Sequence, residues 1–331
     1  MSVVSFNAGA ERIAVVAGGA GFLGYHLCRL LRERGYVVIC IDSMVTGCRD
    51  NVEAFAGDPF YHFIGHDVGR EMSLEGPVDA IFNLACAASP PRYQADPVHT
   101  MMTSVNGTFN LLRLAEVHGA RFVQASTSEI YGDPEQHPQR EDYRGSVNCV
   151  GPRACYDEGK RSAETLCFDM VRAGRVDARV ARIFNTYGPR MRGDDGRVVS
   201  NLVTQALSGD QLTIFGDGSQ TRSFCYVSDM VTGLLAMMEL PDPPDGAINL
   251  GNPTEQTVLE LARMVAELVP GAGPVVHRPL PADDPCRRCP DIGKARRVLG
   301  WQPRVPIREG LQATIGWFAD SRTLGPRAMA S

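Results

Sequence analysis

Tyr156 and Lys160 stand four residues apart in the segment "CYDEGK", and this spacing suits acid–base chemistry at a hydroxyl group. Residues 156–171 are predicted to be helical, which places both side chains on one face. Free tyrosine is a poor base at neutral pH, because its pKa is about 10. A lysine ammonium one turn away, together with a positively charged cofactor ring bound beside the phenol, lowers that pKa, so the pair predicts a tyrosine that removes a proton from a bound alcohol.

The stretch "STSEIYGD", residues 126–133, follows a predicted buried strand. Thr127 stands at the carboxyl end of that strand, where open α/β sheets place their ligands, and it can share a hydrogen bond to a substrate hydroxyl. Glu129 is harder to explain, because a charge at the end of a buried strand is costly without a partner or a function. Either it pairs with a structural arginine or it takes part in the chemistry. The candidate catalytic residues are Tyr156, Lys160, Thr127, Ser128 and Glu129.

The segments that must position these residues alternate between apolar strands and helices. Strands are predicted at residues 13–17, 37–41, 80–84, 122–126 and 178–183, and helices after residue 22 and at 98–117 and 156–171. Strand–helix–strand units imply a parallel sheet with right-handed crossovers. The fold class predicted from this pattern is α/β, with a Rossmann-like doubly wound parallel sheet.

The glycine-rich stretch "AGGAGFLG" lies between the first strand and the first helix, which is the context that a dinucleotide-binding motif requires. Gly18 allows the tight turn, Gly21 lets the backbone approach a pyrophosphate, and Gly24 lets helix and strand pack closely. The N–H groups at the start of the helix then meet the phosphate charge. Glycines that serve only a tight turn are the alternative interpretation.

Two acidic residues extend this predicted cofactor site. Asp42 ends the second strand, where an acid accepts hydrogen bonds from the adenosine ribose hydroxyls. Ser43 and Met44 follow it, without an arginine to bind a 2′-phosphate, so we predict NAD rather than NADP. Asp67, in "GHDV", is a candidate adenine contact, although it could equally be a solvated loop acid.

The regular alternation of apolar strands and helices ends near residue 185, after which polar loops separate shorter helices and strands. We predict that residues 1–185 form the main part of an NAD-binding Rossmann domain. Residues 186–331 are predicted to be mainly a smaller α/β C-terminal substrate-binding lobe. A segment near 246–252, "GAINLGN", is predicted to return to the sheet as a strand.

Composition and charge exclude several classes of protein. The chain has 331 residues, 44% of them hydrophobic, and a formal net charge of −5, which disfavours binding to nucleic acids or membrane surfaces. It contains no apolar run of the roughly 20 residues that span a bilayer. The first residues lack the pattern of a secretory signal, so we expect a cytoplasmic protein.

The cysteines give no sign of a metal or redox site. Of the ten cysteines, only Cys286 and Cys289 form a CxxC pair, and no second CxxC or HxxxH stands at a spacing that matches it in a zinc site. Most of the others lie in apolar periodic segments, where a thiol behaves as a small hydrophobic group. We therefore expect no metal.

Longer motifs carry a resemblance that spans nearly all of residues 13–320. They are "GGAGFLG", "ASTSEIYGDPEQHPQ", "CYDEGKR", "ARIFNTYGPRM", "DDGRVVSN", "GDGSQTRSFCYV", "DDPCRRCPDI" and "LGWQPRV". With these strings the chain resembles the nucleotide-sugar branch of the extended short-chain dehydrogenases/reductases. Within that branch it is most similar to the UDP-glucuronate decarboxylases, or UDP-xylose synthases.

The resemblance implies a reaction on UDP-glucuronate with a tightly bound, recycled NAD. Tyr156 takes the proton of the sugar 4-hydroxyl while C4 is oxidised. The resulting 4-keto sugar acid is a β-keto acid and loses its carboxylate as carbon dioxide, after which C5 is protonated and C4 is reduced. The resemblance also implies a homodimer in which helices 98–117 and 156–171 of two copies form a four-helix bundle.

The same resemblance extends the two binding sites. The cofactor-binding residues that it implies are Gly18, Gly21, Phe22, Leu23, Asp42, Ser43, Thr46, Gly47, Asp67, Val68, Leu84, Cys86, Thr103, Tyr156 and Lys160. The substrate-binding residues that it implies are Ser89, Tyr93, Asn185, Arg190, Arg192, Val199, Arg222 and Arg288. Arg222 and Arg288 match family positions near the pyrophosphate and the sugar, because UDP needs cations.

The chain departs from the decarboxylase pattern on the substrate side. Met102 stands where those enzymes usually have a lysine, Ala87 where they have a proline, and Arg144 where they have a tryptophan. Tyr25 replaces a common serine in the cofactor helix. These changes leave the fate of the carboxylate open.

Three alternatives to decarboxylation follow. A UDP-glucuronate 4-epimerase would use the same C4 oxidation and retain the carboxylate, with Arg192 as a possible bidentate clamp. A 4,6-dehydratase is disfavoured because Ser128 is a poor acid for expelling a hydroxyl, and an inactive nucleotide-sugar sensor would not need Tyr156 and Lys160. Glu129 favours decarboxylation, because a like charge near the substrate carboxylate promotes loss of carbon dioxide.

Overall fold

The fold was analysed in a computed structural model that describes residues 3–5, 12–279 and 287–323. The strands are β1 (Val3–Ser5), β2 (Ile13–Ala17), β3 (Val37–Asp42), β4 (Tyr61–Gly65), β5 (Ser73–Glu75), β6 (Ala80–Asn83), β7 (Arg121–Thr127), β8 (Asp177–Ile183), β9 (Thr186–Tyr187), β10 (Leu212–Phe215), β11 (Thr221–Ser223), β12 (Cys225–Tyr226), β13 (Ile248–Leu250), β14 (Glu255–Thr257), β15 (Val275–Arg278) and β16 (Arg287–Arg288). The helices are α1 (Phe22–Glu33), α2 (Arg49–Glu53), α3 (Pro90–Tyr93), α4 (Pro97–Met102), α5 (Thr108–His118), α6 (Ala154–Arg172), α7 (Val198–Ser208), α8 (Val227–Glu239), α9 (Val258–Leu268), α10 (Gly293–Leu299) and α11 (Ile307–Thr323).

A seven-stranded parallel sheet forms the centre of the molecule, with the strand order β13-β8-β7-β6-β2-β3-β4. The order reverses between β2 and β6, as in doubly wound folds. The predicted Rossmann-like α/β class is therefore confirmed. Strand β13 pairs with β8, so the 246–252 segment returns to the sheet as the sequence predicts.

Helices cover both faces of this sheet because its strands are apolar on both sides. In β2, Ala14 and Val16 face one core, whereas Ile13, Val15 and Ala17 face the other. Helices α1 and α8 contribute to the first core, and α5 and α6 contribute to the second. Burial on both faces explains why the strands read as continuous apolar runs.

The helix predicted at 98–117 is interrupted. A π-helical turn at Thr103–Gly107 separates α4 from α5. Gly107 allows the close approach of Val68 at this turn, since a Cβ at Gly107 would lie 2.7 Å from its Cγ2 atom. The turn directs Thr103 toward the cleft described below. Such turns often occur at functional sites.

Residues after β8 build a smaller core from α7, α9 and α11 together with β10. Three short pairings surround it: β10 with β15, β9 with β12, and a sheet of order β14-β11-β16. Among the described residues, no helix combines the length and the apolar character needed to cross a bilayer.

Candidate active site

A cleft opens at the carboxyl ends of β2, β3 and β6, where the glycine-rich loop turns into α1. Gly18 has a φ of +77°, and a Cβ there would lie 2.8 Å from the backbone of Leu84. A Cβ at Gly24 would collide with the carbonyl oxygen of Gly18. Helix α1 begins after Gly21 and has no acidic residue in its first turn, so its free N–H groups favour an anion.

The cleft encloses about 590 Å³, including open solvent at its mouth. Ten of the predicted cofactor residues line it: Gly18, Gly21, Asp42, Ser43, Thr46, Asp67, Val68, Leu84, Cys86 and Thr103. Phe22, Leu23, Gly47, Tyr156 and Lys160 lie outside this lining, and their part in cofactor binding stays a prediction. The cleft also has lining residues that the sequence did not indicate, among them His66, Ala85, Ala87, His99 and Thr100.

Asp42 is held in place to accept hydrogen bonds at the end of β3. Its two carboxylate oxygens accept hydrogen bonds from Ala20 N at 3.0 Å and from Met44 N at 2.8 Å. Burial raises the pKa of Asp42, and these backbone bonds oppose that effect. Gly47 leaves room for the carboxylate, since a Cβ there would lie 2.8 Å from it. This cradle fits a ribose diol and would repel a 2′-phosphate.

Asp67 is not a solvated loop acid, because it has a partner. Its carboxylate lies 3.0 Å from Nε2 of His99 and accepts a hydrogen bond from Gly69 N at 2.9 Å. Burial favours the neutral acid, but these two bonds lower the pKa of Asp67. His99 comes from α4, and nothing in the sequence near Asp67 indicates that contact.

Tyr156 and Lys160 share one face of α6 as predicted, and both side chains are buried. The side chain of Thr127 lies beside the Tyr156 phenol and acts to lower its pKa. The Lys160 ammonium lies 5.9 Å from the centre of the Tyr156 ring and donates a hydrogen bond to the carbonyl of Ala125 at 2.9 Å. The three side chains therefore meet at the carboxyl end of β7.

The charge state of this group differs from the expectation. In the chain alone, burial raises the pKa of Tyr156, with the Cys86 thiol adding to the effect, so the predicted lowering by Lys160 is not found. Burial also lowers the pKa of Lys160. The other half of that expectation, that a bound nicotinamide ring would lower the pKa of the phenol by its positive charge, stays a prediction.

Tyr93 packs directly on the candidate base. The two rings are stacked with their centres 5.0 Å apart and an interplanar angle of 7°. Ser89, which is also buried, caps the short helix α3 that carries Tyr93. The Tyr93 hydroxyl is buried without a hydrogen-bond partner among the described residues, which leaves it free to bind a substrate atom.

Glu129 forms two ion pairs at the end of β7. Its carboxylate contacts the guanidinium groups of Arg153, at the start of α6, and Arg288, in β16. Although burial opposes ionisation, these two cations lower the pKa of Glu129. The free like charge expected beside a substrate carboxylate is therefore absent, because two arginines compensate it. Nη2 of Arg288 is buried with no partner in the described part of the chain, and it is available to an anion.

The other candidate residues lie in β11, β16 and α7 and directly after β7 and β8. Arg222 and Arg288 are both buried and lie opposite each other in the β11–β16 pairing, and their contact with one substrate stays a prediction. Val199 is buried in α7, and Asn185 follows β8, where its carbonyl accepts a hydrogen bond from Cys225 N at 2.9 Å. Ser128 is buried in the 3₁₀ turn Ser128–Tyr131.

Arg190 and Arg192 have partners of their own. The Arg190 guanidinium lies 4.5 Å above the ring of Tyr25 and donates to the carbonyl of Asp50, which places it against the cofactor helix. Arg192 forms a bidentate ion pair with Asp194, at 2.9 and 3.1 Å. Their substrate contacts stay predictions.

One functional residue was missed from the sequence. Arg153, which precedes Tyr156 by three residues, is a partner of Glu129 that only the fold identifies. Met102, which the sequence places on the substrate side, lies at the end of α4 with 43% of its surface exposed. It does not line the cofactor cleft, and its place relative to the substrate stays a prediction.

Comparison with known proteins identifies the family. A family model described as "NAD dependent epimerase/dehydratase family" matches residues 14–251. The chain belongs to this family. It is accordingly an NAD-dependent enzyme of the extended short-chain dehydrogenase/reductase group, and the predicted cofactor is confirmed at that level.

Curated relatives align over most of the chain. UDP-glucuronic acid decarboxylase 1 of Xenopus tropicalis is 50% identical over 304 residues, which are 92% of this chain and 71% of that protein. UDP-glucuronic acid decarboxylase 2 of Arabidopsis thaliana is 54% identical over 304 residues, 92% of this chain and 67% of that protein.

Solved structures with the same fold are more distant in sequence. UDP-glucose 4-epimerase of Thermotoga maritima is 28% identical, with a TM-score of 0.84, and covers 95% of this chain and 100% of its own. A variant of UDP-glucuronic acid 4-epimerase from Bacillus cereus is 26% identical, with a TM-score of 0.84, over 93% of this chain and 99% of its own.

Proposed function

We propose that this enzyme oxidises UDP-glucuronate at C4 and decarboxylates it to UDP-xylose. The observation that carries the proposal is the identity of 50–54% over 92% of the chain to UDP-glucuronic acid decarboxylases. The solved epimerases that share the fold are only 22–29% identical. The site geometry supports the same reaction, because it joins an acid–base tyrosine to a cluster of cations suited to an anionic sugar.

The residues present suit NAD in the cleft. Gly18, Gly21 and the start of α1 would hold the pyrophosphate, and Asp42 would hold the adenosine ribose. Bound NAD would supply the two-electron oxidation at C4 of the sugar and its later reversal. Asp67 and its partner His99 stand at the same cleft and would face the adenine.

Tyr156 is placed to take the proton of the sugar 4-hydroxyl. Thr127 holds the phenol from one side, and the Tyr93 ring holds it from the other. Lys160 is fixed by the carbonyl of Ala125, so its ammonium stays next to the phenol throughout. Oxidation at C4 makes the substrate a β-keto acid, and its carboxylate then leaves as carbon dioxide.

Glu129 serves this reaction as an ionised, oriented carboxylate. Because its pKa is lowered, it is a weak proton donor at neutral pH, and direct protonation of C5 by Glu129 is disfavoured. A carboxylate held by two arginines can instead accept a hydrogen bond from a water molecule or a sugar hydroxyl. It also fixes the position of Arg288, whose buried Nη2 has no partner among the described residues.

The 4-epimerase alternative lacks its expected clamp. Retention of the carboxylate calls for a cation that grips it bidentately, and Arg192 was the candidate. In the structure this guanidinium is bound to Asp194 in that same bidentate way. An epimerase of this kind would have to break that ion pair in every cycle.

The deciding experiment incubates the purified protein with UDP-glucuronate and NAD and analyses the nucleotide products by anion exchange and mass spectrometry. We expect a product that is lighter by one carbon dioxide and carries a pentose. A product with the mass of the substrate would identify an epimerase and overturn the proposal. Protein that binds NAD without any turnover would indicate a sensor.

We further propose a cytoplasmic homodimer built on α4, α5 and α6. Val98, Met102 and Phe109 expose 72%, 43% and 39% of their surfaces on α4 and α5, and α4 and α5 both pack beside α6. A second copy that covered these side chains would remove apolar surface from water. Size-exclusion chromatography with light scattering tests the state, and a monomer would contradict it.

A further inference from the structure

The pairing of short strands behind Arg288 brings three metal-ligand side chains together from distant parts of the sequence. His137, Glu255 and Cys289 each offer one ligand atom, and these atoms all lie within 4.8 Å of one another. The cluster lies outside the cofactor cleft, and the proposed reaction uses none of its members. The sequence predicted no metal site, because that prediction looked for a partner to the pair Cys286 and Cys289, and Cys286 lies outside the described residues.

The fold holds the three side chains in register through backbone pairing. The amide of Cys289 donates to Oε1 of Gln139, and the amide of Gln139 donates to the carbonyl of Cys289, both at 2.8 Å. This reciprocal pair fixes Cys289 beside the segment that carries His137. Glu255 arrives through the sheet of order β14-β11-β16, in which it lies opposite Ser223.

The polar contacts around the cluster resemble the outer shell of a metal site. Oε1 of Glu255 accepts a hydrogen bond from the Thr221 hydroxyl at 2.5 Å, which leaves Oε2 to face His137 Nε2 at 2.9 Å. The Cys289 thiol, which is buried, donates only to the carbonyl of Pro253 at 3.3 Å. The hydroxyl of Ser223 is also buried, and it has no hydrogen-bond partner among the described residues.

We propose that His137, Glu255 and Cys289 bind a zinc-class divalent cation, with water as the fourth ligand. Thiolate, imidazole and carboxylate are the donor types that Zn²⁺ accepts, at about 2.3 Å for sulfur and about 2.0 Å for nitrogen and oxygen. The ligand atoms need to move by about 1 Å or less to meet those bond lengths, and the exposed side of His137 gives the cation a path from solvent. Binding releases the thiol proton, so affinity rises with pH.

Cobalt titration of the full-length, reduced protein tests this site, with Co²⁺ as the spectroscopic probe and Zn²⁺ as the competitor. We expect one tightly bound Co²⁺ per chain, with intense visible bands of a tetrahedral site and a thiolate-to-cobalt charge-transfer band that Zn²⁺ removes. Cys289→Ser should abolish the charge-transfer band, and His137→Ala should weaken binding by about tenfold or more. Should Cys289→Ser fail to fold, His137→Ala provides the same test at a more exposed side chain.

Cys149→Ser is the matched control, because Cys149 is an exposed free thiol outside the cluster, and this variant should bind as the wild type does. Equal affinity in wild type and Cys289→Ser would show that the metal binds elsewhere on the surface and would overturn the site. A wild-type titration with no charge-transfer band would overturn it as well.

Discussion

The ring of Tyr93 lies parallel to the ring of Tyr156, with 5.0 Å between their centres. The stack covers one face of the candidate base, and Thr127 lies beside its phenol. Packing against Tyr93 thus holds the ring of Tyr156 in place. Burial by Tyr93 is also part of the reason why the phenol has a raised pKa in the chain alone.

We predict that Tyr93→Leu lowers kcat by about fivefold, because loss of a stacked pair is worth about 1 kcal/mol and frees the ring of Tyr156 to move. Tyr93→Phe is the control, since it keeps the stack and removes only the hydroxyl. It should retain kcat and raise KM, given that the hydroxyl has no partner within the described residues. Steady-state kinetics with UDP-glucuronate measure both, and equal kcat in the two variants would refute the role of the stack.

Tyr156→Phe should reduce turnover by at least about 100-fold, because the proton of the substrate hydroxyl then has no acceptor. NAD should remain bound, since the glycine-rich loop and Asp42 are untouched. Nucleotide released from denatured enzyme measures occupancy, and product analysis measures turnover. Near-normal turnover would rule out Tyr156 as the base.

Glu129→Gln should lower decarboxylation by about 100-fold and also destabilise the fold. The change leaves Arg153 and Arg288 facing a neutral amide, and breaking a buried ion pair costs about 3–5 kcal/mol. Glu116→Gln is a matched control, because Glu116 pairs with Arg175 at 2.7 Å on the surface, where such pairs contribute little. Thermal unfolding and product release are the measurements. Unchanged activity in Glu129→Gln would remove the carboxylate from the mechanism.

Asp157 makes stability depend on pH. It is buried beside Glu129, Arg153, Arg288 and Glu158, and burial together with the charge of Glu129 raises its pKa from 3.8 to about 7. A raised pKa means that the folded chain binds the proton more tightly, so this contribution to stability is full below pH 3.8 and is lost as pH rises to about 7. The size of the loss is up to about 4 kcal/mol.

Asp157→Asn should therefore be more stable than the wild type at pH 8, with the difference shrinking toward pH 4. Denaturant unfolding at several pH values measures it. Asp169→Asn, on an exposed part of the same helix, should follow the wild type. If the wild type unfolds at the same or a higher denaturant concentration than Asp157→Asn at pH 8, the raised pKa of Asp157 is contradicted.

The central sheet was predictable because strands buried on both faces read as unbroken apolar runs, as in "IAVVA" of β2. Strand β4 was not predicted. It lies at the edge of the sheet, where Phe63 is partly exposed and alternate residues face solvent. The π-helical turn at Thr103–Gly107 was missed as well, because its apolar spacing is close to that of a continuous helix.

The cofactor site was easier to predict than the substrate site, because its residues lie close together in the sequence. Gly18, Gly21 and Asp42 come from one strand–helix–strand unit, so short-range spacing reveals them. The partners of Glu129 and Asp67 come from other elements. In the sequence these partners, which are Arg153, Arg288 and His99, look like ordinary solvated surface residues. Only the fold shows which acid each of them contacts, because no local pattern indicates it.

The two ion pairs of Glu129 set an order of events during synthesis. Every residue that lines the cofactor cleft lies between Gly18 and Thr103, whereas Arg288 follows Glu129 by 159 residues. During synthesis from the amino terminus, the residues of the nucleotide cradle are therefore all present long before Arg288 is added. The growing chain can thus form its cofactor cleft while Glu129 still has only one of its two cationic partners.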